Sequence, residues 1–145
     1  MPAYISEFSY FGTSSTEFIE IAVPTGTDVS SYSVILYQFD GTIYNGFSLG
    51  TSVAAMNGHD IYLINSSTPG FSTGDPMGMF YADDAIALFD GSSVIQFTSW
   101  AGNTVTPIEG PAFGTTSTEV GFTATQGNSL QSDDGGLTYY EQTSV

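Results

Sequence analysis

Nearly all the charged side chains of this chain are carboxylates. The 145 residues include 15 Asp and Glu, one His and no Lys or Arg, which gives a formal net charge of −15. Two adjacent pairs stand out, Asp83-Asp84 and Asp133-Asp134, and two glycines follow the second pair. Calcium takes about six to eight oxygen ligands, which neighbouring aspartates in Gly-rich turns can supply. The sequence therefore predicts Asp83, Asp84, Asp133 and Asp134 as metal ligands for calcium, with a solvated turn as the alternative for each pair.

A single histidine, His59, is the only imidazole available for acid–base chemistry. A structural zinc site is built from about four Cys or His ligands, and the chain has no cysteine. His59 follows the turn signal Asn57-Gly58, so we interpret it as a turn residue and predict that the protein is not an enzyme. Because a glycoside hydrolase needs only two carboxylates, that class of enzyme stays open. No cofactor other than calcium is expected.

The charge balance excludes several classes of partner. Proteins that bind DNA, RNA or anionic lipid neutralise phosphates with Lys and Arg, and this chain has neither. No run of about eighteen apolar residues is present, so we expect no membrane insertion. The composition, rich in Ser, Thr and Gly, is typical of extracellular or cell-surface proteins, and this is the predicted location. A halophilic cytosolic protein is the alternative explanation of the acidity.

The sequence pattern predicts that β-strands position these residues. Short runs of β-forming residues alternate with clusters of Gly, Asn, Asp, Ser and Thr, which is typical of an all-β sandwich. Asp40-Gly41 and Asp90-Gly91 predict tight hairpin turns, and Asn45-Gly46 predicts a bulge within a strand. The strands are predicted near residues 3–9, 16–23, 32–39, 42–48, 60–65, 85–90, 93–100, 119–123 and 137–141.

Alternation along the strands assigns the core. In residues 17–23, Ile19, Ile21 and Val23 share one face, which we predict to be buried. Residues 32–37 and 85–89 are apolar on both faces, so these two strands are predicted to be central in a sheet. Trp100 ends a strand and is expected in the core. The length fits one domain, residues 1–145, and we expect 1–12 and 132–145 to be tails that contact neighbouring copies.

Two passages resemble a known family. Glu17-Phe18-Ile19-Glu20-Ile21, followed by Asp28-Val29-Ser30-Ser31-Tyr32, is similar to the bacterial branch of the lamin tail domain family, and the likeness spans about residues 4–132. The resemblance implies an immunoglobulin-like antiparallel β-sandwich with no catalytic residues of its own. Bacterial domains of this family often accompany secreted nucleases or phosphatases. This chain departs from the family in lacking every Lys and Arg.

Taken together, these features predict a non-enzymatic extracellular structural or adhesive protein. Its expected partners are copies of itself, assembled into a filament or surface layer, or a glycan or other cell-surface component. The alternative is a calcium- or carbohydrate-binding accessory module of a secreted enzyme system. Copies of a molecule whose charges share one sign repel each other, so contact between them requires uncharged patches or bound cations.

Overall fold

The structure is a computed structural model that describes residues 2–10, 17–71, 84–123 and 127–142. Strands form two sheets within these ranges. Their bounds are β1 (Tyr4–Ser9), β2 (Phe18–Pro24), β3 (Ser33–Tyr37), β4 (Ile43–Ser48), β5 (Ala54–Met56), β6 (His59–Ile64), β7 (Ala85–Phe89), β8 (Val94–Ser99), β9 (Thr118–Glu119), β10 (Ser129–Gln131) and β11 (Tyr140–Gln142). No helix in the described part is long and apolar enough to cross a membrane.

The two sheets pack face to face as a sandwich. Sheet A has the order β11-β10-β1-β2-β6-β5, and sheet B has the order β4-β3-β7-β8-β9. Among the described strands, all pairs are antiparallel except β8 with β9. Strand β1 of sheet A lies over β8 of sheet B, where the Ile5 amide donates to the Gln96 side chain at 2.8 Å. The edge strands β5 and β4 therefore lie on the same side of the sandwich, with Phe47, Val53 and Leu63 around one hollow.

The predicted all-β sandwich is confirmed, and so are its main turns. Strands β3 and β4 form the hairpin closed at Asp40-Gly41, and β7 and β8 form the hairpin closed at Asp90-Gly91. Both Asn57 and Gly58 have positive φ, +53° and +80°, as a two-residue turn between β5 and β6 requires. The bulge in β4 is displaced by one residue from the prediction, because Tyr44 is the extra residue between the paired Ile43 and Asn45.

Three short strands differ from the prediction, and the strand predicted at 137–141 is found at Tyr140–Gln142. Strand β5 was not predicted, since Ala54-Ala55-Met56 lacks the β-branched and aromatic residues that mark strands. Strand β10 is only three residues long and was also missed. Conversely, the strand predicted at 119–123 is reduced to Thr118–Glu119, which ends in a bond from the Val120 amide to the Ser99 carbonyl.

The core between the sheets contains the predicted residues. Ile19, Ile21 and Val23 are at most 1% exposed, and Trp100 is fully buried. Burying one such aliphatic side chain contributes about 1.5–3 kcal/mol. Strands β3 and β7 are interior strands of sheet B, as predicted. Segment 105–112 covers the outer face of that sheet, where Val105 and Ala112 pack with Ile35, Tyr37 and Phe97.

Candidate functional site

A groove of about 460 Å³ lies on the outer face of sheet A, the face turned away from sheet B. Its floor is formed by Ala22 of β2 and Ile61 of β6, which are directly paired. Tyr4 of β1 pairs with Ala22 on its other side, so the three side chains share one face. Met56 of β5 lines the groove at one end and Asp133 at the other. Ala22 is only 1% exposed although it belongs to an outer face.

One wall of the groove is an aromatic pair. The rings of Tyr4 and His59 meet edge to face, with centroids 5.8 Å apart and an interplanar angle of 81°. The Asn57-Gly58 turn places His59 here, and His59 Nδ1 lies 3.2 Å from the Asn57 carbonyl oxygen. A nitrogen on a carbonyl oxygen must carry the hydrogen, so Nε2 of the neutral ring is an acceptor. Nε2 is buried and has no hydrogen-bond partner among the described residues.

Two carboxylates line the same groove, Glu20 and Asp133. Ser6 is the extra residue of a bulge in β1, and its hydroxyl donates to Glu20 Oε1 at 2.7 Å. The Tyr140 hydroxyl donates to Asp133 Oδ2 at 2.9 Å. Burial raises the pKa of the Tyr4 phenol, and the negative charges of Glu20 and Asp133 raise it further. The groove is therefore a region of negative potential with hydrogen-bond acceptors around an apolar floor.

Glu7 adds to the negative charge on this sheet. It is paired directly with Glu20 across β1 and β2, which places two like charges side by side. Burial raises the pKa of the Glu7 carboxyl, a hydrogen bond from the Ser129 hydroxyl lowers it in part, and the Glu20 charge raises it. Ionising the Glu7 carboxyl therefore costs more free energy in the folded protein than in the unfolded chain.

The predicted metal ligands Asp133 and Asp134 lie beside the groove, but Asp134 is occupied within its own turn. Its Oδ1 accepts hydrogen bonds from the Ser132 hydroxyl at 2.8 Å and from the Leu137 and Thr138 amides at 3.1 and 2.9 Å. Its Oδ2 accepts from the Thr138 hydroxyl. These bonds, led by those from Thr138, lower the pKa of Asp134 to about 2. Asp134 fixes the conformation of the turn that carries Asp133 to the groove.

The other predicted pair is only half described. Asp84 is 3% exposed at the start of β7, whereas Asp83 lies outside the described residues. Within the described ranges, no three His, Asp or Glu side chains gather as a possible metal site. Calcium binding at Asp83, Asp84, Asp133 and Asp134 therefore stays a prediction. Of the predicted tails, residues 1, 11–12 and 143–145 are likewise outside the described part.

One further sequence motif resembles that of a catalytic serine, and the structure shows where this serine lies. Residues 46–50 read Gly-Phe-Ser-Leu-Gly, which matches the pattern of the serine-hydrolase nucleophile elbow. The elbow places its serine on a sharp turn between a strand and a helix. Ser48 instead belongs to β4 and pairs with Ser33 of β3. This segment lacks the local geometry that gives such a serine its reactivity.

A second surface of interest is the side of the sandwich that carries β4 and β5, here called the uncharged side and defined as residues 41–59. No Asp or Glu occurs in this stretch, although the chain carries 15 of them. Every residue from Gly50 to Gly58 is exposed, including Val53 at 62% and Met56 at 61%. At the far edges of the two sheets, β9 and β11 contain Glu119 and Glu141.

The groove and the uncharged side could not be located from the sequence, because each joins segments that are distant along the chain. Tyr4 and His59 meet only through the strand order β1-β2-β6, and β4 meets β5 only through the stacking of the two sheets. Comparison of this chain with protein-family models, with curated proteins and with solved structures gives no match.

Proposed function

We propose that this protein is a non-enzymatic, extracellular structural or adhesive β-sandwich that binds copies of itself along its uncharged side. The observation that supports this most directly is the placement of both uncharged edge strands, β4 and β5, on one side of a molecule of charge −15. Edge strands present unpaired backbone N–H and C=O groups to solvent. Soluble proteins commonly protect such edges with charged side chains or proline, and residues 41–59 contain neither.

Electrostatics favours a contact through the β5 edge of this side. Two copies repel wherever carboxylates face each other, and screening at physiological salt acts over about 8 Å. Contacts through β5 avoid this cost, since Ala54, Ala55 and Met56 are exposed and uncharged. Backbone pairing of β5 with its copy would extend sheet A from one molecule into the next. The β4 edge is less suited to pairing, because it has a bulge at Tyr44 and because its Ile43 amide already donates to the Glu109 carboxylate at 2.7 Å.

A two-fold contact through one side produces a closed dimer, so a filament or surface layer requires a second contact. A candidate lies at the turn between β3 and β4, where Phe39 is 65% and Ile108 62% exposed, and where the adjacent Asp40 and Glu109 require salt screening or a bound cation. The Ile108 amide donates to the Gly41 carbonyl at 2.9 Å, which holds segment 105–112 against this turn. Exposed apolar side chains held on a fixed backbone suit a protein contact.

We further propose that the sandwich is immunoglobulin-like and related to the bacterial lamin tail domains. The order β1-β2-β6-β5 in sheet A and β4-β3-β7-β8 in sheet B is that of strands A-B-E-D and C′-C-F-G in immunoglobulin folds. The passages 17–21 and 28–32 support the narrower relationship. The extracellular location is supported by the hydroxyl-rich composition and the absence of Lys and Arg. An accessory module that binds calcium or carbohydrate is the second candidate function, and the groove on sheet A favours its carbohydrate form.

Self-association is tested with two variants of equal charge. Ala54→Glu places a carboxylate on the uncharged side, and Thr104→Glu places one on an exposed residue between β8 and β9. We expect sedimentation velocity to show concentration-dependent association of the original protein, stronger in about 1 M than in about 0.15 M NaCl because salt screens repulsion. Ala54→Glu should weaken the association about tenfold or more, and Thr104→Glu should leave it within about twofold.

Two results would contradict the proposal. One is a monomer at millimolar concentration in both salt conditions. The other is an equal loss of association in both variants, which would mean that net charge rather than the uncharged side controls it. Electron microscopy of the same samples distinguishes closed dimers from filaments or layers.

A further inference from the structure

We propose that the groove on the outer face of sheet A binds a saccharide that carries a primary ammonium group, such as an oligosaccharide of glucosamine. The groove shares Met56 and His59 with the end of the uncharged side, but its proposed ligand contacts do not require self-association. Three features of the groove support the inference: its carboxylates, its unsatisfied acceptor, and its apolar floor.

The first feature is a pair of groove carboxylates that no Lys or Arg neutralises. Glu20 and Asp133 line one groove of about 460 Å³. Each has one carboxylate oxygen that accepts from a neutral hydroxyl, Ser6 in one case and Tyr140 in the other. The chain has no Lys or Arg that could neutralise them. A ligand with an ammonium group supplies the missing cation, and charge-assisted hydrogen bonds of this kind are about twice as strong as neutral ones.

The second feature is His59 Nε2, a buried acceptor with no hydrogen-bond partner among the described residues. A buried polar atom without a partner costs free energy, and a donor that reaches it recovers this cost. Because Nδ1 lies on the Asn57 carbonyl, Nε2 of the neutral ring is an acceptor, and a ligand N–H or O–H reaches this enclosed atom when the groove wall shifts slightly. The two carboxylates and His59 Nε2 are therefore all hydrogen-bond acceptors, and a ligand must supply the donors. Sugar hydroxyls and ammonium groups are such donors.

The third feature is the shape and polarity of the floor. Ala22 and Ile61 form an apolar strip between Met56 and the Tyr4 ring, suited to the C–H face of a pyranose. The side chains of Ser6 and Gln131 lie around this strip and can bond to hydroxyls. The volume falls in the range of about 300–1,000 Å³ that is usual for small-ligand sites. A cation near Tyr4 also gains from the negative face of its ring. A peptide lysine would satisfy the carboxylates but would make no use of several hydroxyl-binding groups.

The test uses isothermal titration calorimetry with the glucosamine tetramer as the probe. The N-acetylglucosamine tetramer has the same rings without the charge, and tetralysine has the charge without the rings. We expect one glucosamine tetramer to bind per chain, and each comparison ligand to bind about tenfold more weakly or not at all. Glu20→Gln and Asp133→Asn should each weaken binding of the glucosamine tetramer about tenfold.

Asp28→Asn is the matched control, since it removes one charge from an exposed loop residue that does not line the groove. It should change the affinity less than twofold. Circular dichroism melting of each variant establishes that it is folded. Glu20→Gln and Asp133→Asn are two separate tests of the same groove. The proposal is overturned if no binding is measured, if tetralysine binds as tightly as the sugar, or if Asp28→Asn weakens binding as much as Glu20→Gln does.

Discussion

The hydroxyl of Tyr139 donates a hydrogen bond of 2.6 Å to the backbone carbonyl of Ile5, 134 residues earlier in the chain. The same hydroxyl accepts one of 2.6 Å from the Gln96 amide, whose oxygen accepts from the Ile5 amide at 2.8 Å. These three bonds form a closed ring that joins β1, β8 and the segment before β11. The ring satisfies the backbone of Ile5, which lies next to the β1 bulge and beyond the last residue paired with β10.

Removing the Tyr139 hydroxyl breaks this ring. We expect Tyr139→Phe to reduce the free energy of unfolding by about 1–3 kcal/mol, because the Ile5 carbonyl loses a bond in a partly buried site. Urea denaturation measures the effect. Tyr32→Phe is the control, since the hydroxyl of Tyr32 makes no hydrogen bond to a described residue. An equal effect of the two substitutions would mean that the ring contributes nothing to stability.

The aromatic cluster beneath the ring supplies a second prediction. Phe8 is fully buried, with its ring centroid 5.1 Å from Trp100 and 5.9 Å from Tyr139. Phe8→Ala should cost about 3–5 kcal/mol, because it removes these contacts and leaves a cavity. Phe39→Ala removes the same ring from a position that is 65% exposed, and we expect a change within about 0.5 kcal/mol. Thermal unfolding followed by fluorescence of the single Trp compares the two.

Substitutions at two glycines distinguish the stability lost to backbone strain from the stability lost to a steric clash. Gly110 and Gly114 both have positive φ, +75° and +81°. A Cβ on Gly110 would lie 2.6 Å from the Tyr37 hydroxyl and 2.7 Å from Ile43 Cδ1, whereas one on Gly114 meets nothing within 4 Å. Gly114→Ala should therefore cost about 1 kcal/mol from strain alone. Gly110→Ala should cost about 1–3 kcal/mol more, and equal losses in denaturant titrations would contradict this.

Glu7 makes stability depend on pH in an unusual direction. Burial raises the pKa of its carboxyl in the folded state above the ordinary value of 4.5. The folded protein then binds more protons than the unfolded chain, so stability falls as pH rises through the folded pKa. We expect Glu7→Gln to raise the urea midpoint at about pH 7 and to leave it unchanged at about pH 3, where the carboxyl is protonated in both states. A lower midpoint at pH 7 would contradict this assignment.

Asp134 has the opposite dependence. Its hydrogen bonds lower its pKa from 3.8 to about 2, so its contribution is present above 3.8 and is lost as pH falls through about 2. Asp134→Ala should lower the urea midpoint at about pH 7. The difference in urea midpoint between this variant and the original protein should become smaller as pH falls toward 2. Urea titrations across this range test it, and a difference that is independent of pH would contradict the assignment.

The sequence predicts those parts of the fold that local pattern determines. Strands β2, β3 and β7 follow from alternation or from apolar residues on both faces, and the hairpin turns follow from Asp-Gly and Asn-Gly. Strand β5 has no such pattern, since only its pairing with β6 makes Ala54–Met56 extended. The groove depends on which strands become neighbours, and this is decided by packing of the whole molecule. The bonds that hold Asp134 are local, in contrast, since they come from Ser132, Leu137 and Thr138, and the charge pattern of Asp133-Asp134 does not reveal them.

Three of the described carboxylates are held by donors that carry no charge. Asp40 accepts from Thr42, Asp90 from the amides of Ser92 and Ser93, and Asp134 from its own turn. Salt weakens attraction between opposite charges, and a chain without Lys or Arg has almost no such attraction to lose. Electrolyte mainly relieves the mutual repulsion of the acids, so we expect the fold to gain stability at high salt concentration, where proteins held by salt bridges lose it.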